Sequence, residues 1–208
     1  MKTKFKVLLV TLLAAVTAFA FTACNGGGGG GRAGYQDQPI PVNLTNLPAG
    51  NPIYFTSIGR GDIDVARITL INAITAANFR DNVDLTAADV TGNVTVVAVI
   101  AASSKGMGAA GVNAAGEVAR VQALGAAENI TLVVLHVGRN TSRGALSDPM
   151  ITAAMAGAAV AIVWNPAAQG ADHDEFFSRA AYTYNTPLFM YSTSAALNAP
   201  LRAVLLGT

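Results

Sequence analysis

The chain has 208 residues, 52% of them hydrophobic and 12% charged, with a formal net charge of +1. Its one cysteine, Cys24, excludes an internal disulfide, so the fold must hold by packing. So small a net charge also excludes a field strong enough to favour nucleic acid.

At the N-terminus, Met1 to Lys6 carries three lysines, and Val7 to Phe21 is an apolar stretch that ends at Phe21-Thr22-Ala23-Cys24. A basic start, a short apolar core and small residues before a cut describe a secretory signal over residues 1–23. The apolar part is shorter than the ~20 residues that a bilayer span needs. The small pair before Cys24 resembles the lipobox of bacterial lipoproteins, which implies that Cys24 takes the lipid and becomes the new N-terminus; ordinary secretion with cleavage near Ala23 is the alternative. Acyl chains contribute about 0.8 kcal/mol per buried methylene, so two or more would anchor the chain stably. The expected location is the cell envelope, outside the cytoplasm and lipid-anchored to a membrane. Removal of the leader takes Lys2, Lys4 and Lys6 from the 13 basic residues, which leaves 10 against 12 acids and a mature charge of −2. Gly26 to Gly31 reads as a flexible tether, and the polar, proline-bearing stretch to residue 52 as a lead-in over the surface.

Residues 53–208 then alternate apolar runs with helical stretches, as one domain would. Ile53 to Ile58 reads as a strand, and Asp62 to Ala77 as a helix with Ile63, Ala66, Leu70 and Ile74 on one face. A short strand is expected near Val83 to Leu85. Val94 to Ala101 is apolar on both faces, as a buried parallel strand should be. Ala114 to Glu128 follows as a helix, with Val118, Val121 and Leu124 inward and Glu117 and Arg120 paired outward. Ile130 to Leu135 is a further buried strand, and Asp148-Pro149 opens a helix with Asp148 as cap. Val160 to Trp164 is the next strand. Asp172 and Glu175 fit a capping box for a helix to Tyr184, Leu188 to Tyr191 is the last strand, and a short helix closes the chain from about Pro200. The alternation predicts an α/β fold: a three-layer doubly wound (Rossmann- or flavodoxin-like) sandwich around a mostly parallel sheet of five or six strands.

Such sheets bind ligands beyond the carboxyl ends of their strands, near the switch in strand order. The predicted carboxyl ends collect Arg60, Ser103, Ser104, Lys105, Gly106, Gly108, His136, Gly138, Arg139 and Arg143. Lys105 is the only lysine after residue 6. Glycines let backbone N–H groups converge, lysine adds a compact mobile charge, and arginine adds planar two-pronged hydrogen bonds. The pattern fits a site for a small anion, a carboxylate or phosphate, but also fits a tight turn that only lets a helix pack. No cofactor or metal is implied. Gly106 to Gly111 matches the dinucleotide-binding glycine pattern, yet Ala102 to Lys105 intervene after the strand and no acid ends the next one. Ser103 or Ser104 with His136 and Asp148 holds the ingredients of a hydrolytic triad without the nucleophile elbow. Asp172-His173-Asp174-Glu175 invites a metal reading, but neighbours in one turn diverge around the axis, so a capping box and a solvated face explain three of the four better.

"SSKGMGAAGVNAAGEVARVQAL" and "HVGRNTSRGALSD" resemble the paired signatures of a family of exported bacterial proteins classed as a domain of unknown function. The resemblance implies a small Rossmann-like α/β domain and export, and it implies no activity. Three functions are therefore expected in order. The first is binding of a small anion by Lys105, His136, Arg139 and Arg143. The second is an enzyme, a hydrolase for instance, with His136 as general acid–base. The third is a protein-interaction module at the cell surface.

Overall fold

The computed structural model describes residues 51–61, 79–137, 143–164, 171–191 and 193–206. The expected leader, Cys24, the tether and the helix over 62–77 lie outside these residues, as do Gly138 and Arg139. Six strands form one sheet: β1 (Ile53–Ile58), β2 (Phe79–Asp81), β3 (Val94–Ile100), β4 (Ile130–His136), β5 (Val160–Trp164) and β6 (Leu188–Tyr191). Their order is β2-β1-β3-β4-β5-β6, and every pairing is parallel. The helices are α1 (Ser104–Ala109), α2 (Ala114–Ala126), α3 (Ser147–Gly157), α4 (Ala171–Tyr184) and α5 (Ser194–Leu206), with a 3-10 turn at Ala87–Asp89. The architecture is the doubly wound α/β sandwich that the apolar runs predict.

Strand parity divides the core into two layers. Val94, Val96, Ala98 and Ile100 of β3, with Leu132 and Val134 of β4, face α2, α3 and α4 through Val121, Leu124, Met150, Ile151, Met155 and Phe177. Val97, Val99, Val133 and Leu135 point the other way, onto Leu197, Leu201, Val204 and Leu205 of α5. All seven residues of β3 are buried, so this strand contributes apolar area to both faces. Each fully buried Val, Leu or Ile stabilises the fold by about 1.5–3 kcal/mol.

Two elements differ from expectation. The short strand lies at Phe79–Asp81 rather than at Val83 to Leu85. Its register against β1 leaves Val83 to accept from Ser57 N–H (3.4 Å) and Thr56 Oγ1–H (2.9 Å), while Leu85 turns fully inward as a plug. The closing helix starts at Ser194, so Pro200 falls inside it. Thr193 Oγ1 accepts the Ala196 N–H at 3.2 Å and begins the helix there, ahead of the leucines that bury on the sheet.

Helices α2 and α3 touch backbone to backbone. A Cβ on Gly125 would lie 2.9 Å from Gly157 Cα, and one on Gly157 would lie 2.6 Å from Gly125 Cα. Glycine to alanine in an exposed helix normally stabilises by roughly 0.5–1 kcal/mol. Gly125→Ala reverses that sign, with a loss of about 1–3 kcal/mol in urea unfolding, because the new methyl meets main chain. Gly108→Ala in α1, where nothing lies within 4 Å, is neutral or stabilising in the same assay.

Candidate ligand-binding edge of the sheet

The strand order reverses between β1 and β3, so the position expected for a ligand lies where these two neighbours end. The chain leaves β1 through Gly59 (φ +86°) and Arg60 (φ +63°), a left-handed pair that costs a non-glycine residue about 1 kcal/mol or more. Gly59 has no alternative here, since a Cβ would stand 2.6 Å from the Ala101 carbonyl oxygen. Gly61 N–H donates to that oxygen at 2.7 Å, and Ser103 N–H donates to Gly59 O at 2.8 Å, which stitches the two strand exits together.

The turn is held from below by a carboxylate. Glu117, on the first turn of α2, is 2% exposed, and its Oε2 accepts the Gly59 N–H at 2.7 Å. Arg120 donates to both carboxylate oxygens, Nε to Oε1 at 3.0 Å and Nη2 to Oε2 at 2.8 Å. Its remaining donors reach Thr56 Oγ1 (3.0 Å), the Leu85 carbonyl (2.9 Å) and the Ser57 carbonyl. This corrects the expected outward pair: Glu117 and Arg120 do pair, but inward, because β1 and the 82–85 turn supply partners that an isolated helix lacks. Arg60 lies 4.0 Å from the same carboxylate and also pairs with Asp84.

The glycine-rich stretch after β3 is a helix rather than an open loop. Ser103 caps α1 by accepting the Gly106 N–H at 3.0 Å on its Oγ. Gly106 is demanded by packing, since a Cβ there would come within 2.7 Å of the Arg60 carbonyl oxygen. Met107 is buried beneath the helix, while Ser104, Lys105 and Gly108 are exposed. Lys105 has no hydrogen-bond or ion-pair partner among the described residues.

His136 ends β4 fully buried, on the face that Leu132 and Val134 also present. Its Nδ1 lies 2.7 Å from the Ile100 carbonyl, which can only accept, so Nδ1 carries the proton. The ring packs against His173 (5.6 Å between centroids) and Phe177 (5.0 Å), both from α4. Parity along β4 and the i, i+4 spacing of His173 and Phe177 would have placed both histidines inside; His173 is the buried member of the 172–175 cluster among its described side chains. Helix α4 begins at Ala171, one residue before the expected cap. Burial first, then the neighbouring His136 and Arg143 charges, lower the His173 pKa to about 4, with Asp148 opposing.

Arg143 turns back onto α3 and α4. Its Nε and Nη2 donate to Asp148 Oδ1 (3.1 Å) and Oδ2 (2.9 Å), and its guanidinium carbon lies 3.9 Å from the centre of the Phe176 ring. Asp148 is not the cap of α3: the helix starts at Ser147, and the carboxylate accepts from Gly144 N–H at 3.0 Å and from Arg143 instead. Burial raises its pKa, but the Arg143 and Gly144 hydrogen bonds and the Arg143 charge outweigh it and hold the carboxyl below its usual value. The triad ingredients are thus committed separately: Ser103 to a cap, His136 to a backbone carbonyl, Asp148 to an arginine. Trp164 packs against the layer under α5.

Two cavities lie nearby. One, of about 550 Å3, is a groove between α2 and α3 lined by Val118, Gln122, Asp148, Pro149, Thr152 and Tyr184 among others. A smaller one, of about 230 Å3, is lined by Arg143, Glu175, Phe176 and Arg179. Among the described residues no three metal-ligating side chains cluster, and no helix is long and apolar enough to cross a membrane.

A model of a domain of unknown function, DUF6305, matches residues 50–205. The chain belongs to the DUF6305 family. No curated protein and no solved structure matches it. The DUF6305 match begins just ahead of β1 and ends one residue before the end of α5, so it covers the whole sheet and all but the last residue of the described helices.

Two outcomes test this reading of the DUF6305 domain. Glu117→Ala leaves Arg120 buried without its carboxylate and should lose about 3–5 kcal/mol in denaturant unfolding. For His173, the folded pKa of about 4 lies below the unfolded value of about 6.5, so the unfolded chain takes the proton first. The melting temperature should therefore fall as pH drops from 6.5 towards 4, and His173→Phe should flatten that slope. Asp148, whose folded pKa is also depressed, adds its loss only at more acid pH.

Proposed function

We propose that this DUF6305 chain is a lipid-tethered domain outside the cytoplasm that binds a small anion, a carboxylate or phosphate, at the carboxyl edge of its sheet. The observation that carries the reading is the contrast among the cations singled out there. Arg60 and Arg143 are each spent on a carboxylate, whereas Lys105 stands exposed beside the strand-order switch with no partner among the described residues. Ser104 is exposed in the same turn, and Gly108 leaves open space for close approach. In a mature chain of charge −2, an uncompensated lysine is a local anion trap. The basic leader, Cys24 and the glycine tether support export and anchoring. Full burial of His136, with Nδ1 on a carbonyl, gives the acid–base alternative no support.

Calorimetry on protein purified without phosphate or sulfate tests the reading. Phosphate or a small carboxylate should bind, and Lys105→Ala should weaken that binding roughly tenfold or more. Unchanged affinity in the variant rejects the role of that side chain.

A further inference from the structure

We propose that the 230 Å3 cavity between Arg143 and α4 is a second seat, for a zwitterion: the ammonium-and-carboxylate headgroup of a free α-amino acid. It is a site apart from Lys105. Arg143 lies between β4 and α3 in the chain, and the other three lining residues lie on α4, the helix that follows β5.

Its chemistry carries both signs. Arg143 and Arg179 offer guanidinium groups, Glu175 offers a carboxylate, and Phe176 supplies an aromatic wall. Among the described residues, the lining side chains and Asp148, which pairs with Arg143, bring two positive and two negative charges. Such surroundings suit a ligand that is itself neutral overall but charged at each end. A bare phosphate or acetate would meet Glu175, and a bare amine would meet two guanidiniums. A zwitterion places its carboxylate on Arg179 and its ammonium on Glu175, against the fixed wall of Arg143 and Phe176.

The two arginines are prepared differently. Arg143 is 18% exposed, doubly bonded to Asp148 and stacked on Phe176, so it is already in position. Arg179 and Glu175 pair one turn apart on α4 with side chains 74% and 65% exposed. An exposed pair of this kind is worth at most about 1 kcal/mol, so a ligand can open it at small cost and engage both halves. At ~30 Å3 per water its volume equals that of about eight waters, enough for such a headgroup with a short side chain.

The test is calorimetry on the full chain with glycine, alanine and glutamate, with acetate, phosphate and methylamine as singly functional controls. At least one amino acid should bind about tenfold tighter than acetate or methylamine. Arg179→Gln should weaken it roughly tenfold or more, and Glu175→Gln should erase most of the preference for alanine over acetate. Both substitutions lie on the exposed face of α4, and melting temperatures within experimental error of the parent show that the fold is intact. The seat is overturned if no amino acid binds, if acetate binds as tightly, or if Arg179→Gln changes nothing. Anion binding that is weakened by Lys105→Ala but not by Arg179→Gln also overturns it, while upholding the anion reading at α1.

Discussion

A single carboxylate, that of Glu117, decides how the first strand leaves the sheet. It holds the Gly59 N–H, both forks of Arg120 and, at longer range, Arg60. Burying that charge is tolerable because both carboxylate oxygens accept hydrogen bonds, and Arg120 in turn spends its other donors on Thr56, Ser57 and Leu85. The left-handed step at Gly59 and Arg60 then brings the β1 exit onto Ala101 and Ala102, and Gly106 can press α1 against Arg60. The strand exits at the switch in strand order are thus held by an ion-pair network on one side and close backbone contacts on the other.

That network also sorts the cations of the carboxyl edge by availability. Arg60 and Arg120 serve the architecture, and Arg143 serves the start of α3 through Asp148. Lys105 and Arg179 remain at the surface, the first without a partner among the described residues and the second in a pair that solvent already weakens. The two sites proposed for this domain follow from that division: charge that is locked into the fold orients its surroundings, and charge left in solvent meets ligands.

How far the chain order alone foretells this depends on where a residue finds its partners. β3 and β4 are plain in the sequence because apolar side chains occupy both of their faces, and only a covered parallel sheet satisfies that pattern. The pair Glu117 and Arg120 has the spacing of a surface bridge, and nothing local reveals that Gly59, 58 residues away, will claim the carboxylate. Ser103 to Gly108 looks like a loop because glycine is a poor helix former; a cap and a contact with Arg60 override that tendency. His136 and His173 were readable in principle, since each shares a parity or a turn with buried neighbours. Arg179 was not, because its value comes from a cavity shared with a distant arginine.

The contact between Gly125 and Gly157 has a mechanical corollary. Two α-carbons that touch leave no cushion of side chains at the crossing, whereas ordinary helix pairs stand about 8–10 Å apart with deformable groups between them. Helices α2 and α3 are therefore pinned there: a lengthwise slip of either would drive main chain into main chain. The helices that carry Glu117 and Asp148 are thus clamped main chain to main chain, with no side chain at either glycine to yield.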